Sequence, residues 1–278
     1  MRHLPKPQIG VSTESIYQMC VDSFQDASYK KKLHSCDALI KKDSVSYEEK
    51  VPLKVDEFLP SVLPIGVTDE DLKKVYTQKF AKKNGVGRPY YDKILSAAPN
   101  GICPICGVQQ VRNLDHYLPK SQFPLLVVTP MNLIPTCRDC NFDKLAFSTQ
   151  NPKEAPLHPY FDNIMDDIWL DVEVFEDVSV VYRANCPERW SNVLKSRVEN
   201  HLNTSNLREL YGCHAIQEIS NSLLLWKKIY ARGQTTALFQ YLCDVKESAE
   251  DRELNSWKSA LYRGIVRQFE IIKIWIAA

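Results

Sequence analysis

The sequence predicts an α+β protein, mainly helical, with a small ββα unit near its centre and a β-hairpin after it. Three observations predict that class. Two CxxC pairs, Cys103-Pro-Ile-Cys106 and Cys137-Arg-Asp-Cys140, bracket an Asp115-His116 dipeptide. Trp169 to Phe175 alternates apolar with acidic residues, the period-two pattern of a half-buried strand. From about Pro187 to Ala278 the apolar residues recur at helical spacing.

Taken in order, residues 1–66 read as an irregular helical region. Ser12-Thr13-Glu14-Ser15 can cap a helix running to about Phe24, and a second helical segment covers Ala27 to Lys41. Val51 to Pro64, with Pro52, Pro60 and Pro64, is expected to be extended. Thr68-x-x-Asp71 is a capping box for a helix ending near Asn84-Gly85, and Pro89 starts another. In the central unit Cys103 to Cys106 make a tight turn, Val111 to Asp115 a strand, and Phe123 to Pro130 a loop. Leu133-Ile134 are strand-like, and a helix starts near Asp139 and runs past Ala146. Val178 to Tyr182 completes the hairpin across a Glu176-Asp177 turn. Leu223, Leu224, Leu225 and Trp226 mark a strongly apolar helix. Ile265, Phe269, Ile272 and Ile276 form a last stripe, expected to be core or an interface. Three regions follow: a helical N-terminal part (1–98), the central unit (99–150), and the hairpin with the helical C-terminal part (151–278).

The bounds are those of a water-soluble globular chain: 278 residues, 44% hydrophobic and 25% charged. No apolar run approaches the roughly 20 residues of a membrane span. Met1 to Gly10 lacks the apolar core of a secretory leader. Nine cysteines, four of them in CxxC pairs, point to metal binding in a reducing cytoplasm rather than disulfides. Cys20, Cys36, Cys186, Cys213 and Cys243 read as ordinary buried or half-buried thiols. The net charge is +1, low for a protein that coats nucleic acid. Positive charge must then be local, or a partner must hold the nucleic acid. Lys73, Lys74, Lys79, Lys82, Lys83, Arg88 and Lys93 cluster against one acid, Asp92. Lys79, Lys82 and Lys83 are its candidate phosphate contacts.

The chemistry follows from residue types. Cys103, Cys106, Cys137 and Cys140 are a closed thiolate set for structural zinc. A unit this small buries too little apolar surface to fold alone, so zinc would supply on the order of 10 kcal/mol. His116 can accept a proton at neutral pH. Asp115 and Asn141 offer the oxygen ligands of a hard divalent ion such as Mg²⁺ or Mn²⁺. Adjacent strand residues point to opposite faces, so Asp115 and His116 can share a site only if the strand ends or bends there.

CPIC, LDHYLPKSQFP and NLIPTCRDCNFDK, spanning Cys103 to Lys144, resemble the HNH endonuclease family. The family's three positions match His116, Asn132 and, in place of a final His, Asn141. The resemblance implies a treble-clef ββα-metal fold and a positioning role for Asn132. It also implies hydrolysis of a phosphodiester, with double-stranded DNA as the expected substrate and RNA left open. Lys144 is expected at phosphate or in solvent, with Lys120 and Arg138 weaker candidates. His158, in His158-Pro159-Tyr160-Phe161-Asp162, either faces the site or packs. Chains of this kind resemble nuclease subunits of bacterial anti-phage defence systems that act with an ATPase partner. The competing reading is a zinc-stabilised binding or assembly module with a vestigial centre. A third, a restriction or homing type of enzyme, lacks support, because no base-reading motif is present.

Overall fold

The computed structural model describes residues 1–52, 54–143 and 151–277. It is mainly helical with two small antiparallel two-stranded sheets, an α+β architecture. The chain divides into two compact units, Met1–Asn163 and Ile164–Ala278.

In the first unit, α1 (Thr13–Asp22) opens on Ser12, whose hydroxyl accepts the Ser15 N–H. α2 (Ala27–His34) opens on Asp26, which accepts the Ser28 and Tyr29 N–H groups. The expected second helix breaks at Ser35-Cys36, and α3 (Asp37–Lys50) continues well beyond Lys41. α4 (Asp69–Lys74) carries the Thr68/Asp71 capping box. It does not run on as a regular helix: Val75–Phe80 is π-helical, with the Ala81 N–H bonded to the Tyr76 carbonyl at 2.8 Å. α5 (Arg88–Leu95) has Pro89 in its first turn, where a missing N–H does no harm.

β1 (Asn113–His116) pairs antiparallel with β2 (Leu133–Thr136), in the register Asn113↔Thr136 to His116↔Leu133. β1 lies one to two residues later than expected, so the strand ends on His116. Tyr117 N–H donates to the directly opposed Asn132 carbonyl at 2.8 Å. By antiparallel alternation, Leu114↔Pro135 is then a non-bonded pair. Pro135 therefore sits where the ladder asks for no donor, which is why a strand tolerates it. α6 begins at Arg138 and is described through Asp143. Lys144, and the expected course of this helix past Ala146, lie outside the described residues.

Two apolar clusters hold this sheet. Leu114 and Leu133 pack with Ile16, Leu72, Val75 and Ile94 of the helices. Tyr117 and Ile134 pack with Tyr47, Phe58, Met131 and Tyr160. The sheet is thus fixed from both faces before any metal is considered.

In the second unit, β3 (Leu170–Val174) pairs with β4 (Val180–Ala184), Val174 opposite Val180. The turn carries Val178 at φ 67°, a strained conformation for a β-branched residue. α7 (Asn192–Thr204), the 46-residue α8 (Leu207–Arg252), α9 (Trp257–Arg267) and α10 (Phe269–Ala277) follow. Leu170, Val172 and Val174 are buried. A Cβ on Gly264 would come within 2.5 Å of Val172 Cγ1, so this contact requires glycine. Arg263 and Arg267 donate to the Leu170 and Val172 carbonyls, and Gln268 donates to the Val174 carbonyl while accepting its N–H. Ile265, Phe269 and Ile272 are core, although the stripe breaks between α9 and α10. Trp226 is buried, but Leu224 and Leu225 are exposed.

Candidate metal centre and active site

The four CxxC cysteines are buried, and their sulfurs all lie within 4.8 Å of one another, with Cys106 and Cys137 at 4.0 Å. Tetrahedral zinc with Zn–S bonds of 2.3 Å needs sulfurs about 3.8 Å apart. The cluster fits that ion. Two backbone donors already point at sulfur, Gln109 N–H at Cys106 and Cys140 N–H at Cys137, both at 3.4 Å. Gly107 closes the knuckle at φ 67°, which only glycine adopts without strain. Hydrogen bonds with Cys103, Cys137 and Cys140 pull the Cys106 thiol down, while those with Cys103, Cys106 and Cys137 push Cys140 up. Four protons cannot leave this packed set unless a cation replaces them, and zinc is such a cation. The frame is braced outside the sulfurs as well. The Arg2 N–H donates to the Pro104 carbonyl at 2.7 Å, and Gln109 binds the Asp139 carboxylate at 2.8 Å.

His116, the last residue of β1, is buried. Its Nε2 lies 2.9 Å from the Val127 carbonyl, which can only accept. The neutral ring therefore carries its proton on Nε2 and its lone pair on Nδ1. The Tyr76 ring meets the imidazole edge-on, with centroids 4.5 Å apart. Asp115 is half-buried on the preceding strand position, and its charge helps hold the buried Tyr76 phenol protonated, after burial itself and Tyr91.

Asn132 is fully buried just before β2. Its Oδ1 accepts the Leu118 N–H at 2.8 Å, and its Nδ2 donates to the Leu118 carbonyl at 3.2 Å and the Leu126 carbonyl at 3.5 Å. The amide thus ties down the loop that leaves His116 and returns through Val127.

The remaining expected residues divide. Asn141 is exposed on α6, with its backbone N–H on the Cys137 carbonyl. Arg138 is also exposed, and Lys120 is half-buried with its ammonium 5.2 Å from the Tyr76 ring centroid. Of the basic segment, Lys82 and Lys83 are exposed. Lys79 is not: it donates to the Ser23 carbonyl at 3.0 Å and lies 4.3 Å from the Phe24 ring centroid. Lys73 pairs with Asp69 and Glu70, and Arg88 with Asp92. His158 is buried: its Nδ1 accepts the Tyr160 N–H, and its Nε2 meets the Tyr47 hydroxyl at 2.9 Å. Rings of Tyr117 and Phe161 enclose it, so it packs. Cys213 is exposed, unlike the buried Cys20 and Cys36.

Sequence reasoning missed Tyr76 and Tyr91 and the Val127 carbonyl; Tyr160 packs as its sequence setting suggests, its hydroxyl donating to the Leu133 carbonyl at 2.9 Å. A backbone acceptor leaves no trace in residue type, and a lone tyrosine in a helical segment reads as core.

No protein-family model matches this chain, and no solved structure matches it. Among curated proteins, it is 28% identical over 236 residues to protein ea31 of Escherichia phage lambda, spanning 78% of this chain and 77% of that protein. It is 33% identical over 101 residues to the Septu protein PtuB of Bacillus thuringiensis. That second likeness spans 34% of this chain and 37% of PtuB.

Proposed function

We propose that this chain is a metal-dependent endonuclease of the HNH type, cutting nucleic acid, with double-stranded DNA as its substrate. The observation that carries the reading is the setting of His116. It ends a short strand beside Asp115, donates through Nε2 to the Val127 carbonyl, and sits on a loop held by the Asn132 amide. The four-cysteine cluster, whose Cys137 directly follows the strand paired with that of His116, supports the same reading, with structural zinc as a brace.

The chemistry assigned to these residues is hydrolytic. His116 Nδ1 takes the proton from a water that attacks phosphorus. The Val127 carbonyl keeps Nε2 protonated, so that the basic nitrogen is always the same one. Asp115 and Asn141 would hold Mg²⁺ or Mn²⁺, which as a Lewis acid would stabilise charge on the phosphate and the leaving oxygen. Asn132 holds the loop and does not touch substrate. The products are a 5′-phosphate and a 3′-hydroxyl.

The partial likeness to the Septu protein PtuB favours a role in defence against phage with an ATPase partner, a role that this reading places in the cytoplasm. The net charge of +1 fits a nuclease that relies on such a partner to hold nucleic acid. Plasmid DNA incubated with the purified protein and Mg²⁺ or Mn²⁺ should be nicked or linearised, and His116→Ala should not cut. A wild-type protein that binds zinc and a partner yet never cuts, with DNA or RNA, would instead identify a zinc-stabilised assembly module.

A further inference from the structure

Tyr76 stands in an unusual place. It belongs to the π-helical turn Val75–Phe80, where one extra residue per turn displaces the side chains from their α-helical positions. That displacement falls on the residue that touches His116. The Tyr76 ring is buried, meets the imidazole at 4.5 Å and 66°, and stacks on Phe80 at 5.7 Å. Its hydroxyl reaches the Leu114 carbonyl at 3.4 Å, while the Leu114 N–H donates to the Tyr91 hydroxyl at 3.1 Å. Leu114 is non-bonded towards β2, so these two tyrosines satisfy both polar groups on its outer edge, two residues before His116.

We propose that Tyr76 is the positioning residue of the His116 site: its ring sets the plane of the imidazole, and its hydroxyl holds the strand that carries it. This rests on His116 being the general base. The Val127 carbonyl fixes one atom of the imidazole, and the Tyr76 ring packed against it favours one tilt of the imidazole plane, because an edge-to-face pair has a preferred angle. Phe80 behind the ring and Lys120 over it keep Tyr76 itself from turning.

The test compares Tyr76→Leu and Tyr76→Phe in the full chain, with cleavage kinetics, zinc content and NMR of ¹³C-labelled histidine. Tyr76→Leu should keep its zinc and its KM within about twofold. Its kcat should fall about 10–100-fold, as misplacement of a catalytic group commonly does, and the pH midpoint of kcat should move. Tyr76→Phe, which keeps the ring but takes the donor from the Leu114 carbonyl, should stay within a few-fold of wild type in kcat while lowering the melting temperature. In the wild-type spectrum the Tyr76 ring current should displace the His116 ring protons from their free-imidazole positions, and Tyr76→Phe should retain that displacement. Wild-type kcat and pH profile in a zinc-loaded Tyr76→Leu would overturn the proposal. If Tyr76→Leu loses its zinc, the labelled spectrum decides. An unshifted His116 in the wild type, or a large loss of kcat in Tyr76→Phe with His116 unmoved, overturns the proposal equally. If the wild type does not cleave at all, the nuclease reading has failed, while the histidine spectrum still reports whether Tyr76 orients the ring.

Discussion

Asn132 shows how much one amide can organise. It is wholly buried, and three backbone groups of the His116 loop depend on it. Replacing it with Leu keeps the volume but leaves the Leu118 N–H and carbonyl buried without partners, at about 1–3 kcal/mol for each orphaned group. The urea midpoint of the first unit should drop accordingly, with the slope unchanged. Cleavage should fall with it, because the loop carries the acceptor of the His116 proton. His116→Ala separates stability from chemistry. It should lower the cleavage rate by about 10²–10⁴, the usual effect of losing a general base, with zinc content unchanged. Near wild-type cutting by that variant would remove His116 from the mechanism. Neither residue's partner could be read from its own neighbourhood. Asn132 is fourteen positions from Leu118, and Val127 acts through its main chain.

At the scale of elements, what was legible and what was not divide along the range of the signal. The cysteine spacing and the Thr68/Asp71 box are local, and the structure places the four sulfurs together and closes the cap. The π-helical turn is not local: Val75–Phe80 has an ordinary helical composition, and its register answers to β1, some forty residues on. The zinc frame predicts that elemental analysis of the purified protein finds close to one equivalent. Cys137→Ser should release the metal and lower the stability of the first unit, since metal and fold are linked, while the two apolar clusters still hold the sheet. A wild-type protein that is fully stable without zinc would contradict this. The α4 cap predicts a pH dependence. Burial pushes the Asp71 carboxyl up, but hydrogen bonds from Lys32, Thr68 and Tyr29 outweigh it and bring the pKa to about 2. That lies below the ordinary value of about 3.9, so the stabilisation is full above that pH and is lost as pH falls towards about 2. Thermal melts should show Asp71→Asn to be less stable than wild type near neutral pH and to lose less stability on acidification.

At the scale of the whole molecule the question is how a chain of net charge +1 would hold a polyanion. The basic run from Lys73 to Lys93 looks like one patch in the sequence, but the fold splits it. Lys73, Lys79 and Arg88 are engaged by Asp69 and Glu70, by Ser23 and Phe24, and by Asp92. Lys74, Lys82, Lys83 and Lys93 are exposed. Each phosphate neutralised adds roughly 0.9 to the slope of log affinity against log salt on duplex DNA. A few exposed lysines therefore give weak, salt-sensitive binding. Lys82→Gln with Lys83→Gln should lower affinity by a similar factor on every DNA sequence and reduce the slope by up to about two. The rate at saturating DNA should be unchanged, because neither lysine touches the His116 cluster. Lys79→Gln should behave differently: it removes an internal contact between the π-helical turn and the end of α1, so it should lower the melting temperature and leave the salt slope alone. Fluorescence anisotropy of a labelled duplex across a salt series, with thermal melts of the same variants, checks both. Tight binding to one sequence by the isolated chain, indifferent to Lys82 and Lys83, would mean that the nucleic acid is held elsewhere and without help.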